Sequence, residues 1–222
     1  GSLSKPQRIG LAVLRALFLL LILAVLTHPV IRLTEETETR GTLLVLQDVS
    51  ASMNLQDPRL AEEDQARVAA AYGSRSKAEA NPNPSRRALV QAVAANAELR
   101  LWPRIAEKAD VLVVPFSREA KVAQSLTRSP ANTSGENESA SQVLSIEEAA
   151  SFFKQFNFDG ASTAVADSLS GALDAVAGQP LSGVLLITDG VSNVGSPLAA
   201  TVNQLRDRDL PLFAYAVGVT AQ

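Results

Sequence analysis

Asp48, Ser50 and Ser52 stand at alternate positions in "LLVLQDVSASM", residues 43–53, directly after a mostly apolar run. Core packing does not ask for a carboxylate and two hydroxyls at the end of a buried strand. Turn and helix-cap chemistry uses the same side chains. Their other use is to bind a hard cation, which prefers oxygen ligands. Two later stretches carry oxygen in comparable places. "FDGASTAVADSL", residues 158–169, holds Thr163 just before a helical pattern, and "LLITDG", residues 185–190, ends an apolar run on Asp189. Taken singly, Thr163 reads as a helix N-cap and Asp189-Gly190 as a strand-ending turn. Taken together, the three stretches offer two carboxylates and several hydroxyls.

The composition removes competing chemistries. There is no Cys and a single His, His28, in the apolar N-terminal segment. Thiolate sites, His-rich zinc sites and nucleophile–His pairs are therefore excluded in the globular part. The net charge of −3 gives no basic footprint for nucleic acid. An aspartyl nucleophile of the phosphatase type wants a second acid two residues after Asp48, and Ser50 stands there. No catalytic constellation stands among these residues, and the chain is not expected to be an enzyme.

The elements that must position these residues are legible as strands and helices in alternation. Residues 42–47, 110–117, 183–190 and 210–218 are short, nearly continuous apolar runs, the pattern of strands covered on both faces. Residues 120–126 alternate, as an antiparallel edge strand does. Ser85 is placed to cap a helix carrying Leu89, Val93 and Ala97, with a break at Pro103. Ser145 and Glu148 form a capping box. Val165, Leu169 and Leu173 repeat on one helical face, and Ser196-Pro197 looks like an N-cap and first-turn pair ahead of Leu198, Val202 and Leu205. The alternation predicts an α/β fold, a doubly wound and mostly parallel sheet with helices on both faces. In such a sheet, ligands bind at the carboxyl ends of the strands, where the three oxygen-rich stretches fall. Residues 54–84 and 128–142 read as insertions, the first carrying a short helix over 58–72. Two glycosylation-type sequons at Asn132 and Asn137 read as chance matches in a Ser/Asn-rich loop. Trp102 reads as packing, and Asp167 and Asp174 as solvated helix-face residues.

With these residues in place, the chain resembles a von Willebrand factor A (vWA) domain with its metal-ion-dependent adhesion site (MIDAS). That family carries Asp-x-Ser-x-Ser on its first strand, a Thr in a second loop and an Asp, often followed by Gly, at the end of a later strand. Asp48, Ser50, Ser52, Thr163 and Asp189-Gly190 match those positions in order, across roughly residues 42–219. The resemblance implies Mg²⁺, or Mn²⁺ or Ca²⁺, held by the hydroxyls of Ser50, Ser52 and Thr163, with Asp48 and Asp189 often acting through water. It also implies an open coordination position that takes an acidic side chain from a protein partner. Two departures stand out. The family often has Gly-Gly-Thr in the second loop, whereas Ala161 and Ser162 precede Thr163 here, so Ser162 joins Gly190 as an accessory position. The family's sheet also usually continues with a further helix and strand, so 42–222 is expected to be either a fragment of a longer protein or an incomplete sheet with an exposed edge.

Residues 11–31, "LAVLRALFLLLILAVLTHPVI", are long and apolar enough for a transmembrane helix, with Arg15 as the only charge near one end. Lys5, Arg8 and Arg15 precede it, so the positive-inside rule puts residues 1–10 in the cytoplasm and the rest, after a linker over 32–41, outside. His28 then lies at the membrane interface. An anchor, a linker and an adhesion-type domain resemble the BatA-like membrane proteins of bacteria, which implies an inner-membrane location and a link with MoxR-type AAA+ ATPases. Two functions follow as expectations. One is a membrane-anchored module binding a protein partner through the cation. The other is a structural or assembly subunit of an envelope complex, in which the metal is incidental.

Overall fold

The computed structural model describes residues 5–26, 40–127 and 144–219. It falls into two units, Gly1–Glu38 and Thr39–Gln222. The first unit is helix α1 (Lys5–Leu26), whose described large apolar side chains, from Ile9 to Leu23, are exposed. Among the described residues no helix is long and apolar enough to cross a membrane. His28, most of the 32–41 linker and the 128–142 insertion lie outside the described residues.

The second unit is built on β1 (Thr42–Asp48), β2 (Asp110–Phe116), β3 (Gln124–Ser125), β4 (Leu181–Thr188) and β5 (Leu212–Ala216), in the order β3-β2-β1-β4-β5. All neighbours are parallel except β2 and β3. β1 lies at the centre, paired with β2 on one side and β4 on the other, and its Leu44, Val45 and Leu46 are fully buried. Continuous hydrophobicity has its explanation here, because each face of the strand meets a helical layer.

On one face Val45, Val113 and Ile187 pack with α4 (Arg86–Ala94), α5 (Leu101–Ala106) and α6 (Ile146–Lys154). Trp102 of α5 stacks on Phe153 of α6 at 4.8 Å, which bears out its reading as packing. On the other face Leu44, Leu46, Val114 and Leu186 meet α7 (Val165–Ala175) and α8 (Leu198–Asp207) through Leu169, Leu173 and Leu205. Each such buried aliphatic side chain contributes about 1.5–3 kcal/mol. A smaller cluster joins α2 (Glu62–Tyr72) and α3 (Arg75–Ala80) to α4 through Val68, Ala71, Ala78 and Leu89.

Several local expectations shift. The edge strand is only Gln124–Ser125, and β4 ends at Thr188, so Asp189 and Gly190 lie in the loop beyond it. The helix expected over 58–72 starts at Glu62, after the extended residue Ala61. The helix capped by Ser85 does not run to Pro103 with a kink. It ends at Ala94, and Pro103 sits in the first turn of a separate α5, where its missing N–H has no intrahelical partner to lose. Buried Asn96 makes the break, accepting from Glu98 N and Leu99 N while donating to Ala70 O and Ala71 O. Pro197, not Ser196, precedes α8, and Ser196 N donates instead to the exposed Asp167 carboxylate. The caps on α4 and α6 form as expected, the latter as a complete capping box of Ser145 and Glu148.

Candidate metal centre

Strand order places the site. The chain leaves β1 toward β2 on one side and returns to β4 on the other, so the carboxyl ends of β1 and β4 flank the topological switch point. Asp48 closes β1, and Asp189 follows β4 directly.

Asp48 is fully buried. Its Oδ1 accepts from Ser50 N at 2.9 Å and its Oδ2 accepts from the Thr188 hydroxyl at 2.8 Å. Burial pushes the Asp48 carboxyl above the ordinary carboxylate range; bonds from Ser50 and Thr188 pull it back, and the charge of Asp189 pushes it up again. A buried carboxylate near a second one is poor core design unless a positive charge is part of the arrangement.

The backbone turns after Asp48 into a short 3-10 helix (Ala51–Asn54), which brings Ser50 Oγ and Ser52 Oγ to 2.9 Å. Two ligands on adjacent corners of an octahedron with bonds of about 2.0–2.1 Å lie about 2.9 Å apart, so the spacing suits the coordination that Mg²⁺ demands. The same distance is a normal hydrogen bond between hydroxyls.

The loop carrying Thr163 docks onto this turn by its backbone. Ser50 and Gly160 form a parallel bridge, Ala51 N donates to Gly160 O at 2.7 Å, and Gly160 N donates to Val49 O at 3.2 Å. The contact requires glycine: a Cβ on Gly160 would lie 2.4 Å from Ser117 Cβ and 3.2 Å from Ser50 Cα. Thr163 itself is buried, its N–H held by Asn193 Oδ1 and its carbonyl accepting from Asn193 N and Val194 N. The second and third oxygen-rich loops thus brace each other. Ser162 is half-buried beside Thr163.

Asp189 has a fully buried side chain. Its Oδ1 accepts from Val191 N at 3.0 Å, and its Oδ2 accepts from Arg86 Nη1 at 2.6 Å. Gly190 follows at φ +82°, a left-handed position, and its N–H donates to the Thr188 hydroxyl. Its part is to turn the chain. Arg86 is itself held by a two-pronged bond to Asp57, Nε to Oδ2 at 2.7 Å and Nη2 to Oδ1 at 2.8 Å. That fork holds the Asp57 carboxyl below its ordinary range and raises Arg86 further.

The switch point therefore gathers Asp48, Ser50 and Ser52, docks the Thr163 loop against them, and sets Asp189 within electrostatic reach of Asp48. The donor set is hard oxygen and carries two carboxylates, which fits a small divalent cation and no soft one. Among the described residues no three His, Cys, Asp or Glu side chains cluster, so hydroxyls are indispensable to any cation site here. Sequence reading missed Thr188, Arg86, Asp57 and Asn193. Arg86 had a signal: a cation in the first turn of a helix opposes the helix dipole and so asks for a specific partner. Thr188 had a weaker one, as a hydroxyl beside Asp189 at the end of an apolar strand.

Fold and site together define an open, doubly wound α/β domain with hydroxyl and carboxylate oxygens gathered at its switch point. No family model matches the chain, and no curated protein matches it. Solved structures similar to it include proximal thread matrix protein 1 of the mussel byssus, at 16% identity and a TM-score of 0.41, over 79% of this chain and 37% of that one. The same protein has been solved with a zinc-occupied MIDAS motif. Others are a manganese-loaded TRAP protein of Plasmodium vivax (14%, TM-score 0.42, 81% of this chain and 58% of that one) and the PilB minor pilin of Streptococcus sanguinis (19%, 0.38, 69% and 30%). The chain spans less than two thirds of the length of each of these neighbours. Likeness at these identities and scores says nothing of what this chain binds.

Proposed function

We propose that the chain is a vWA-type binding module that holds a divalent cation, Mg²⁺ by the hardness of its donors, and uses it to engage an acidic side chain on a protein partner. The observation that carries this reading is the pair of hydroxyls of Ser50 and Ser52, 2.9 Å apart beside the buried Asp48 carboxylate. Ser50, Ser52 and Thr163 would offer hydroxyl oxygens, and Asp48 and Asp189 would supply the negative charge, directly or through water. The ion, when bound, supplies an electrophilic position for a carboxylate. The chain's own residues orient the donors and keep the site's charge near neutral. No residue is given a catalytic role.

The reading extends to the N-terminus. The apolar run over 11–31 serves as a single-pass anchor in a bacterial inner membrane, with residues 1–10 cytoplasmic and the domain outside. Its support is the length and apolarity of the run and the basic residues before it. Retention of the full chain in carbonate-washed membranes checks the anchor; release into the wash sinks it.

Calorimetric titration of Mg²⁺ and Mn²⁺ into the full chain, beside Asp48→Ala, tests the cation. Binding by the folded wild type and none by the variant supports the reading, and equal affinity in both removes it. A second reading has its own observation: Arg86 already gives Asp189 a counter-charge within the protein. On that reading the domain is a structural subunit of an envelope complex linked with a MoxR-type ATPase, and the metal is incidental. Partners that stay bound through EDTA during a membrane pull-down favour it over the first.

A further inference from the structure

A short ion pair at the site ties Asp189, one of its two carboxylates, to Arg86, which stands outside the oxygen donor set. Arg86 Nη1 donates to Asp189 Oδ2 at 2.6 Å while its Nε and Nη2 grip both oxygens of Asp57. The Arg86 side chain is mostly buried, at 14% exposure, and the Asp189 side chain is at 0%. Arg86 cannot drift away. Its backbone N–H is bonded to Leu55 O at 3.1 Å, and the residue opens α4 directly after its Ser85 cap. Arginine does not deprotonate in proteins, so this charge is permanent.

A fixed cation on one oxygen of Asp189 has a consequence for any divalent ion that wants the same carboxylate. The two positive charges share one anion at short range, where the local dielectric is low and little water screens them. Asp57 counters this, because its own negative charge, held on the guanidinium by two bonds, offsets part of the field that Arg86 exerts on the site. We propose that Arg86 is a built-in competitor for Asp189, a positioning residue that sets the affinity of the metal centre, and that Asp57 tempers the competition. This inference rests on the cation-site reading above.

The pair of residues gives opposite signs, which a merely structural role does not. Arg86→Gln removes the charge and leaves an amide at the level of the Nε that bonds Asp57, short of the Nη1 that bonds Asp189; Mg²⁺ binding tightens about tenfold. Asp57→Asn frees Arg86 from its fork and removes a nearby negative charge; Mg²⁺ binding weakens about threefold or more. Arg87 is the control. It is exposed, lies one residue on, and stacks over Phe158 at 6.0 Å. Arg87→Gln removes the same formal charge and leaves the affinity within about twofold, since exposed charges are screened.

The experiment is calorimetric titration of MgCl₂ into the full chain and the three variants at one ionic strength. Thermal unfolding with and without Mg²⁺ is followed alongside, to confirm that each variant folds and to read the ion's stabilisation independently. A tighter Arg86→Gln, a weaker Asp57→Asn and an unmoved Arg87→Gln establish the proposal. Arg86→Gln that binds as wild type or more weakly overturns it, and so does Arg87→Gln that tightens as much as Arg86→Gln. If Arg86→Gln does not fold, the sign of Asp57→Asn decides: affinity unchanged or raised overturns the proposal. A folded wild type that takes no ion by either readout removes the cation-site reading, a failure distinct from any of these because it appears before a variant is compared.

Discussion

The Thr188 hydroxyl donates to Asp48 Oδ2 at 2.8 Å and at the same time accepts from Gly190 N at 3.2 Å. One side chain therefore locks the end of β4 to the end of β1 across the switch point. It fixes the carboxylate's rotation and the turn that presents Asp189.

Thr188→Val keeps the shape of the side chain and removes that lock. Residues that orient a metal ligand commonly cost 10–100-fold in affinity when lost, so Mg²⁺ binding should weaken about tenfold. The fold should lose about 1–2 kcal/mol, since Asp48 Oδ2 and Gly190 N lose a buried partner. Titration and urea denaturation read the two effects separately. Undiminished affinity would mean that Ser50 N alone orients Asp48.

Asp48→Asn should separate stability from function. Burial raises the Asp48 carboxyl, so its ionised form is disfavoured in the folded protein. A group with a raised folded pKa costs stability as pH climbs from the unfolded value toward the folded one, and that cost persists at neutral pH. The neutral amide avoids it and can still accept from Ser50 N. In EDTA the variant should be more stable than wild type at pH 7, on the order of 1 kcal/mol. In Mg²⁺ the order should reverse, because only wild type gains from the ion. Equal melting temperatures in EDTA would show that the carboxylate is comfortable in its cage.

Much of this unit is legible in the sequence, for identifiable reasons. β1, β2 and β4 are visible as apolar runs because helices cover both their faces, whereas β5, expected to be covered in the same way, is an edge strand with Phe213 58% and Tyr215 38% exposed. The caps of α4 and α6 are visible because Ser85 and Ser145 do local chemistry. Asp48, Ser50 and Ser52 are visible because three oxygens at a strand end have no role in packing. What escapes is long-range. Asp57, Arg86 and Asp189 come together from positions 29 and 103 residues apart, and no local pattern encodes that meeting. Pro103 misleads for a different reason: proline both breaks helices and opens them, and the buried Asn96 that makes the break looks like any polar residue in sequence.

Gly160 is where two loops touch, and its missing side chain is what lets them. In Gly160→Ala the new methyl meets the Ser117 side chain at 2.4 Å and the Ser50 backbone at 3.2 Å. Ser117 is fixed as well, its carbonyl accepting from Ala164 N at 2.9 Å, so the strain cannot be relieved by one rotamer. The loop bearing Thr163 must move away from Ser50. Overpacking of this kind costs about 1–3 kcal/mol. Mg²⁺ affinity should fall with it, whereas Gly171→Ala, whose new methyl meets nothing closer than Ala120 Cβ at 3.8 Å, should leave affinity unchanged. A Gly160→Ala protein that binds as wild type would place Thr163 outside the site.

The Asp57–Arg86 fork should set the acid limb of stability. Asp57 is held below its ordinary pKa, chiefly by the hydrogen bonds from Arg86, and its side chain is 12% exposed. A carboxylate depressed in the folded state binds its proton more readily when unfolded. Its contribution is therefore complete above the unfolded value of about 3.9 and is lost as pH falls through the lower folded value. Asp48 works in the opposite sense, gaining a proton first as pH drops from neutral and relieving its own burial. In EDTA, the urea midpoint of wild type should hold or rise slightly on mild acidification and then fall steeply below about pH 4. Asp57→Asn should be less stable at pH 7 by about 1–3 kcal/mol, the scale of hydrogen bonds to a charged partner. Its acid limb should be shallower, so that the two curves converge toward pH 3. Curves that stay parallel from pH 7 to pH 3 would mean that other carboxylates govern acid unfolding and that the fork adds geometry to the site without adding stability to the fold.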